Sequence, residues 1–171
     1  MSEIYLAGGC FWGMEKVFRS LNGVIATTVG YANGTVDHPT YEQVCTDTTG
    51  HRETVKVEYD PDQISLTKIL RAYFICIDPT RENGQGHDIG SQYQTGIYTT
   101  DDDSLAIVNR VVEKEKVNYP RFCTEVMPLK NFWPAEEYHQ NYLEKNPNGY
   151  CHISNAEYDL VQALNLEGNH D

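Results

Sequence analysis

The chain of 171 residues has a length typical of one domain, and we predict a single domain over residues 1–171. Acidic residues outnumber basic ones by 25 to 13, and the net charge of −12 argues against binding to nucleic acid or anionic membranes. No apolar run is long enough to span a membrane, and the N-terminus lacks the pattern of a signal peptide. We therefore expect a cytoplasmic protein.

The first hundred residues alternate between short apolar runs and segments of helical periodicity. Residues 53–59 alternate strictly between two faces, which places Glu53 on the same face as Val55 and Val57. The predicted elements are a strand at 4–7, a helix at 11–21, strands at 24–31 and 53–59, a helix at 65–77 and a strand at 92–99.

This order of strands and helices is that of a split βαβ unit. We therefore predict an α+β fold of the ferredoxin-like plait type, with an antiparallel or mixed sheet and helices on one side. A C-terminal extension follows, with a helix from 101 to about 118, a strand near 124–129 and a helix at 135–145. Residues 155–171 show no strong pattern and are predicted to form a loosely ordered tail.

The five cysteines lie at positions 10, 45, 76, 123 and 151, and no two of them form a Cys-x-x-Cys pair. Their odd number and wide spacing predict neither a disulfide framework nor a zinc site, so we expect no metal. This pattern is typical of a reducing compartment, where a thiol serves either packing or chemistry.

Cys10 is the first candidate for chemistry, because it follows Gly8-Gly9 and directly precedes a predicted helix. Unpaired N–H groups and the helix dipole favour an anion there, so we expect an ionised, nucleophilic thiol. Phe11 and Trp12 would form an apolar wall beside it. The alternative is a packing cysteine in a strand-to-helix turn, and spacing alone does not decide between the two.

Four polar residues could complete a binding site around such a thiol. If the apolar face of its strand is inward, Glu53 is desolvated, its pKa rises and it can donate a proton. Tyr41 and Tyr93 lie in loop-rich stretches and could bind a polar ligand atom, while Asp88 orders a glycine-rich loop. The alternatives are a glutamate that leans into solvent at a strand end and a plain surface loop around Asp88.

Histidines and a second cysteine extend the list of candidates. His51, His87 and His139 could each act as a base for the thiol, although nothing in the sequence brings any of them to it. Cys151 lies beyond the last predicted helix, where it could form a disulfide with an oxidised Cys10. The alternative for Cys151 is an incidental surface thiol.

Seven short segments, spread along the chain as far as residue 151, carry a distinctive pattern when they are taken in order. They are Gly9-Cys10-Phe11-Trp12-Gly13-Met14-Glu15, Val29-Gly30-Tyr31, Tyr41-Glu42-Gln43-Val44-Cys45, Gly50-His51-Arg52-Glu53, Gly86-His87-Asp88-Ile89-Gly90-Ser91-Gln92-Tyr93, Pro134-Ala135-Glu136-Glu137-Tyr138-His139-Gln140 and Asn146-Pro147-Asn148-Gly149-Tyr150-Cys151. Together they resemble the A-type peptide methionine sulfoxide reductases, enzymes that reduce one epimer of methionine sulfoxide.

The resemblance implies that Cys10 is the nucleophile and that Cys151 recycles it through a disulfide. It also implies that Phe11 and Trp12 form the aromatic wall that receives the methyl group of the substrate. The implied reaction reduces methionine S-sulfoxide, free or in proteins, to methionine through a cysteine sulfenic acid. The resemblance implies a plait-type core as well, in agreement with the predicted order of elements.

The other four candidates match the polar side of the family's site. Glu53 matches the acid, and Tyr41 and Tyr93 match the hydroxyls, that surround the sulfoxide oxygen. Asp88 matches a polar residue that helps to order the site. The resemblance implies no cofactor beyond an external dithiol reductant, usually thioredoxin, and we expect a monomer.

Two features of the sequence depart from the family's usual pattern. Members often carry a histidine before Asp-Pro-Thr, whereas Cys76-Ile77 precedes Asp78 here. Some members have two C-terminal recycling cysteines, and only Cys151 is evident here, with Cys123 or Cys45 as possible substitutes. A single disulfide between Cys10 and Cys151 would suffice.

Two other functions use parts of the same pattern. A peroxide-reducing or redox-sensing thiol protein would need Cys10 and Cys151 but would have no need for Phe11, Trp12 or Glu53. A non-catalytic domain that recognises oxidised methionine would need the pocket but not the thiol.

Overall fold

The structure is a computed structural model that describes residues 1–167. Eight strands and six helices occur in this range, together with two single 3₁₀ turns at Ser91–Tyr93 and Glu137–His139. The strands are β1 (Ser2–Ala7), β2 (Val24–Ala32), β3 (Arg52–Tyr59), β4 (Gly84–Gln85), β5 (Asp88–Ile89), β6 (Gly96–Thr99), β7 (Glu125–Pro128) and β8 (Phe132–Pro134). The helices are α1 (Phe11–Arg19), α2 (Tyr41–Cys45), α3 (Leu66–Cys76), α4 (Asp102–Lys116), α5 (Tyr142–Lys145) and α6 (Asn155–Leu164).

Six strands form one sheet in the order β7-β6-β1-β3-β2-β8, and β4 pairs with β5 in a separate hairpin. The pairing of β6 with β7 is parallel, while the other neighbours in the sheet are antiparallel. The predicted combination of helices with a mixed sheet is therefore confirmed. Within residues 1–167, no helix is both long enough and apolar enough to cross a membrane.

The two faces of the sheet carry different apolar clusters, as the two-residue period of a strand requires. Ile4 and Leu6 of β1 belong to the main core, which also contains the apolar faces of the long helices. Tyr5 and Ala7 point the other way, into a small cluster with Tyr98. Strand β3 contributes its apolar face to the main core, and Glu53 lies on that face near the start of the strand.

The segment after β7 differs from its predicted helix at 135–145, which is wrong for most of its length. Strand β8 pairs with β2, and the N–H of Ala135 donates to Val29, so the chain is extended there. The side chain of Gln140 also binds both the N–H and the carbonyl of Val29. Asn141 then adopts a φ of 54°, and only the four residues of α5 are α-helical. Tertiary hydrogen bonds thus override local helix propensity.

The prediction of a loose tail at 155–171 is wrong for its first part, because α6 occupies Asn155–Leu164. Ser154 and Glu157 form a capping box at its start. Val161 and Leu164 are buried in the main core, where α6 packs against α3. Residues 168–171 of the predicted tail lie outside the described residues.

Candidate active site

Cys10 lies at the N-cap of α1, directly after the turn that leaves β1. The hydroxyl of Tyr73 in α3 donates to the carbonyl of Ala7 at 2.6 Å and fixes the end of the strand. Gly9 has a φ of 89°, and a Cβ there would lie 2.8 Å from the Cβ of Gln85. Only glycine satisfies both conditions, so this turn sets the position of Cys10.

The electrostatics of Cys10 differ from those predicted. The side chain is only 7% exposed, and burial, followed by the nearby Glu53 carboxyl, raises the pKa of its thiol far above the ordinary value. The N–H of Trp12 at the start of the helix lowers this pKa, but by less. The expectation of an ionised sulfur at rest is therefore wrong, because desolvation outweighs the helix terminus. The resting group is a thiol.

Glu53 is the most perturbed carboxyl beside Cys10. It is 1% exposed, and its Oε1 accepts the N–H of Phe11 at 3.2 Å. Its Oε2 is buried and has no hydrogen-bond partner among the described residues. Burial raises the pKa of Glu53 to about 8, against a smaller opposing effect of the Phe11 N–H. The side chain is thus mainly protonated at pH 7, and the free Oε2 is the natural carrier of that proton.

The raised pKa of Glu53 predicts a pH-dependent stability. Since the folded pKa of about 8 lies above the ordinary 4.5, the native state holds a proton that the unfolded state has released between these values. The free energy of unfolding should therefore fall with rising pH across this window, by at most about 1.4 kcal/mol per pH unit. Urea unfolding of the wild type and Glu53→Gln between pH 5 and 9 tests this difference. Parallel curves for the two proteins would contradict it.

Tyr41 and Tyr93 come to the same site from two separate elements. Tyr41 is the first residue of α2, and Tyr93 ends a 3₁₀ turn. Burial, followed by the Glu53 carboxyl, raises the pKa of both phenols, and Cys10 contributes to the shift at Tyr93. Both hydroxyls therefore stay protonated and can donate hydrogen bonds.

Asp88 orders the rim of the site from the β4–β5 hairpin. Its Oδ2 accepts the hydroxyl of Tyr150 at 3.0 Å, which connects the hairpin to the segment that carries Cys151. Asp88 also raises the pKa of Cys10 and Glu53 as a secondary cause, behind burial. It thus lies close enough to both groups for its charge to act on them.

Phe11 and Trp12 are held rigidly in the first turn of α1. Phe11 is 1% exposed, whereas Trp12 is partly exposed. The indole of Trp12 stacks on Tyr142, with ring centroids 3.8 Å apart and an interplanar angle of 11°. Its Nε1 donates to Nδ1 of His139 at 3.0 Å, which fixes the orientation of the indole. A groove of about 330 Å³ begins at Trp12 and follows α1 to Arg19.

His139 has a role that the sequence did not indicate. It is 1% exposed and packs against the rings of Phe11, Trp12 and Tyr41. Burial lowers its pKa, so the imidazole is neutral, and its Nδ1 is occupied by Trp12. The neighbouring Glu136 accepts the N–H of Tyr41 and so positions the start of α2. Both residues lie in the segment Pro134–Gln140, and the sequence pattern of this segment was the one signal that could have indicated their roles.

The other two histidines that were predicted as candidate bases have different surroundings. His51 is fully buried, with Nδ1 accepting the N–H of Gly34 and Nε2 bonded to the carbonyl of Val36. Both of its ring nitrogens are therefore engaged in loop structure. His87 is exposed at the tip of the β4–β5 hairpin.

Cys151 is brought to the helix that begins after Cys10. A Cβ on Gly13 would lie 3.0 Å from its Sγ, so the missing side chain makes room for the thiol. Cys151 also contributes to the raised pKa of Cys10, behind burial and Glu53. Its thiol donates to the carbonyl of Ile153, with a sulfur–oxygen distance of 3.6 Å.

The remaining thiols differ from one another in their surroundings. Cys45 is exposed at the end of α2, where it forms a hydrogen bond with Tyr41, and Cys76 is buried in α3. Cys123 donates to the carbonyl of Thr80 at 3.6 Å. In the described part of the chain, no three His, Cys, Asp or Glu side chains are arranged to hold a metal ion.

The fold and this site define a reductase that works through a cysteine thiol. The chain matches the family model described as peptide methionine sulfoxide reductase over residues 2–165, and it belongs to that family. It is 54% identical over 154 residues to the peptide methionine sulfoxide reductase MsrA of Clostridium acetobutylicum. This alignment covers 90% of this chain and 95% of the relative.

Solved structures show the same similarity. Mxr1 from Saccharomyces cerevisiae in reduced form superposes with a TM-score of 0.85 at 37% identity, covering 90% of this chain and 91% of that chain. Mxr1 in complex with Trx2 matches with a TM-score of 0.59 at 27% identity, covering 82% of this chain and 84% of that chain.

Proposed function

We propose that this enzyme reduces methionine S-sulfoxide, free or in proteins, with Cys10 as nucleophile and Glu53 as acid. The observation that carries this assignment is the buried, unpartnered Oε2 of Glu53, on a carboxyl whose pKa is raised to about 8. A sulfoxide oxygen is a poor leaving group until it gains a proton. A neutral carboxylic acid beside the thiol supplies that proton, and general acid catalysis of this kind increases the rate about 10²–10⁴-fold.

The two substituents of the sulfoxide require opposite surroundings. Phe11 and Trp12 offer an apolar wall to the methyl group, and Trp12 is fixed there by Tyr142 and His139. The oxygen faces the Glu53 side, where the tyrosine hydroxyls of positions 41 and 93 remain protonated. Since the methyl and the oxygen cannot exchange places, one epimer is selected.

The first step transfers the oxygen from one sulfur to another. Glu53 protonates the sulfoxide oxygen, and Cys10 attacks the sulfoxide sulfur while its own thiol proton returns to Glu53. The hydroxyl then moves from the substrate sulfur to Sγ of Cys10, so that the substrate S–O bond and the transient S–S bond break while a new Sγ–O bond forms. Methionine leaves reduced, and Cys10 is oxidised to a sulfenic acid. Because the resting thiol has a raised pKa, its proton leaves only when the oxygen is being protonated.

The second step restores the enzyme without a bound cofactor. The thiol of Cys151 condenses with the sulfenic acid of Cys10, which forms a disulfide and releases water. An external dithiol then reduces the disulfide. We assign this role to thioredoxin, which the complex of the relative Mxr1 with Trx2 supports.

The central experiment uses a racemic peptide methionine sulfoxide with dithiothreitol and chiral analysis of the product. We expect half of the sulfoxide to be consumed, all of it the S epimer, and no reduction by Cys10→Ser. Hydrogen peroxide is the control for a peroxide-reducing enzyme. Rapid peroxide turnover without sulfoxide reduction would contradict the proposal, as would binding of the sulfoxide without any chemistry.

The finer features of the fold support the same assignment. We propose a split βαβ plait built from β1, β2, β3 and β6, because these strands lie in the order β6-β1-β3-β2 within the larger sheet. One continuous main core contains residues from β1 to α6, which supports a single domain. We further propose that the protein acts as a monomer in the cytoplasm, where its free cysteines suit a reducing environment.

A further inference from the structure

One side chain joins the loop of Cys151 to the turn of Cys10. Nε2 of His152 lies 3.0 Å from the carbonyl oxygen of Gly8. Because a carbonyl oxygen can only accept, Nε2 must carry a ring proton. The same Nε2 would lie 3.2 Å from a Cβ on Gly9, so the imidazole rests directly on the turn.

The other ring nitrogen of His152 is free. Nδ1 is buried and has no hydrogen-bond partner among residues 1–167. Burial lowers the pKa of His152, and the charges that face it, Asp88 of the hairpin and Glu157 of α6, only partly oppose this. The ring is therefore neutral at pH 7, with its lone pair on Nδ1. A buried ring nitrogen without a partner is destabilising, and its lone pair is available to any proton donor that reaches it.

The nitrogen that carries this lone pair and the second thiol of the reaction both face Gly13. A Cβ on Gly13 would lie 3.4 Å from Nδ1 of His152 and 3.0 Å from Sγ of Cys151, so both atoms border the same small space. The thiol of Cys151 is at present directed to the carbonyl of Ile153. That carbonyl can accept a hydrogen bond but cannot take the proton away.

We propose that Nδ1 of His152 accepts the thiol proton of Cys151 as Cys151 attacks the sulfenic acid of Cys10. This step rests on the proposed function. The Sγ–Sγ bond forms and the S–O bond of Cys10 breaks, so Cys151 is oxidised and Cys10 is reduced to the disulfide level. The departing hydroxide takes the proton from His152 and leaves as water, and His152 returns to its neutral state.

His152→Gln separates the base from the anchor. The glutamine amide can still donate to the Gly8 carbonyl, but it offers no basic nitrogen in place of Nδ1. We expect an unchanged single-turnover burst of methionine and a disulfide that forms about 10²-fold more slowly. Quenching with N-ethylmaleimide and counting alkylated thiols by intact mass follows the disulfide. His87→Gln, the same change at an exposed histidine, is the control.

The pH profile distinguishes proton transfer from a structural role. In the wild type, disulfide formation should be independent of pH above the lowered pKa of His152. In His152→Gln it should rise about tenfold per pH unit, because the reaction then waits for free thiolate. Equal rates and profiles in both proteins would overturn the inference, and so would equal loss of the burst and of the disulfide. A wild type without any burst would instead contradict the proposed function.

Discussion

Glu53→Gln is expected to slow the first turnover by about 10²–10⁴-fold, because the amide cannot donate the proton that the sulfoxide oxygen needs. The substitution keeps the size of the side chain and an oxygen for the N–H of Phe11. Rapid-quench measurement of methionine formed per enzyme gives the rate. Near-normal turnover would remove Glu53 from the role of acid.

Two controls show whether this loss is chemical. Cys10 should be alkylated at least as fast in Glu53→Gln as in the wild type, because Glu53 raises the pKa of the thiol. Glu58→Gln makes the same change further along β3, at a residue paired with Lys56, and should leave turnover intact. The wild-type rate should fall above pH 8, where the acid form of Glu53 is lost, and the variant should lack this fall.

Cys151→Ser is expected to produce one methionine per enzyme and then to stop when thioredoxin is the reductant. The first step needs only Cys10, whereas thioredoxin must meet a disulfide that the variant cannot form. Mass spectrometry after dimedone trapping should find the sulfenic acid on Cys10.

Cys123→Ser is the matched control, because its thiol contacts Thr80. It should turn over normally with thioredoxin. Sustained thioredoxin-driven turnover in Cys151→Ser would assign recycling to another thiol. Cys76 would then be tested together with Cys123. Cys76 is buried in α3, and its pKa is raised mainly by burial and to a smaller extent by Cys151.

The part of the site that follows local rules could be predicted. Strict alternation placed Glu53 on the apolar face of β3, and the structure buries it there. The glycines before Cys10 predicted the turn that presents it, and Gly9 does adopt a positive φ. The roles assigned to these residues remain predictions that the variants above test.

The part that depends on tertiary packing could not be predicted. The ionisation of Cys10 was expected from the helix terminus alone, whereas its pKa is set mainly by how much protein covers the sulfur. Helices α2 and α6 are likewise stabilised by capping boxes, and α6 also packs against α3. His139 gives no sign in the sequence that its neighbours will be Trp12 and Tyr41.

The covered, protonated state of Cys10 has a consequence for an enzyme that repairs oxidative damage. Peroxides react with thiolates rather than thiols, so we expect them to oxidise poorly a sulfur whose raised pKa keeps it protonated until a sulfoxide is bound. We therefore expect the catalyst to resist the same oxidants that create its substrate, so that it survives the conditions in which it is needed.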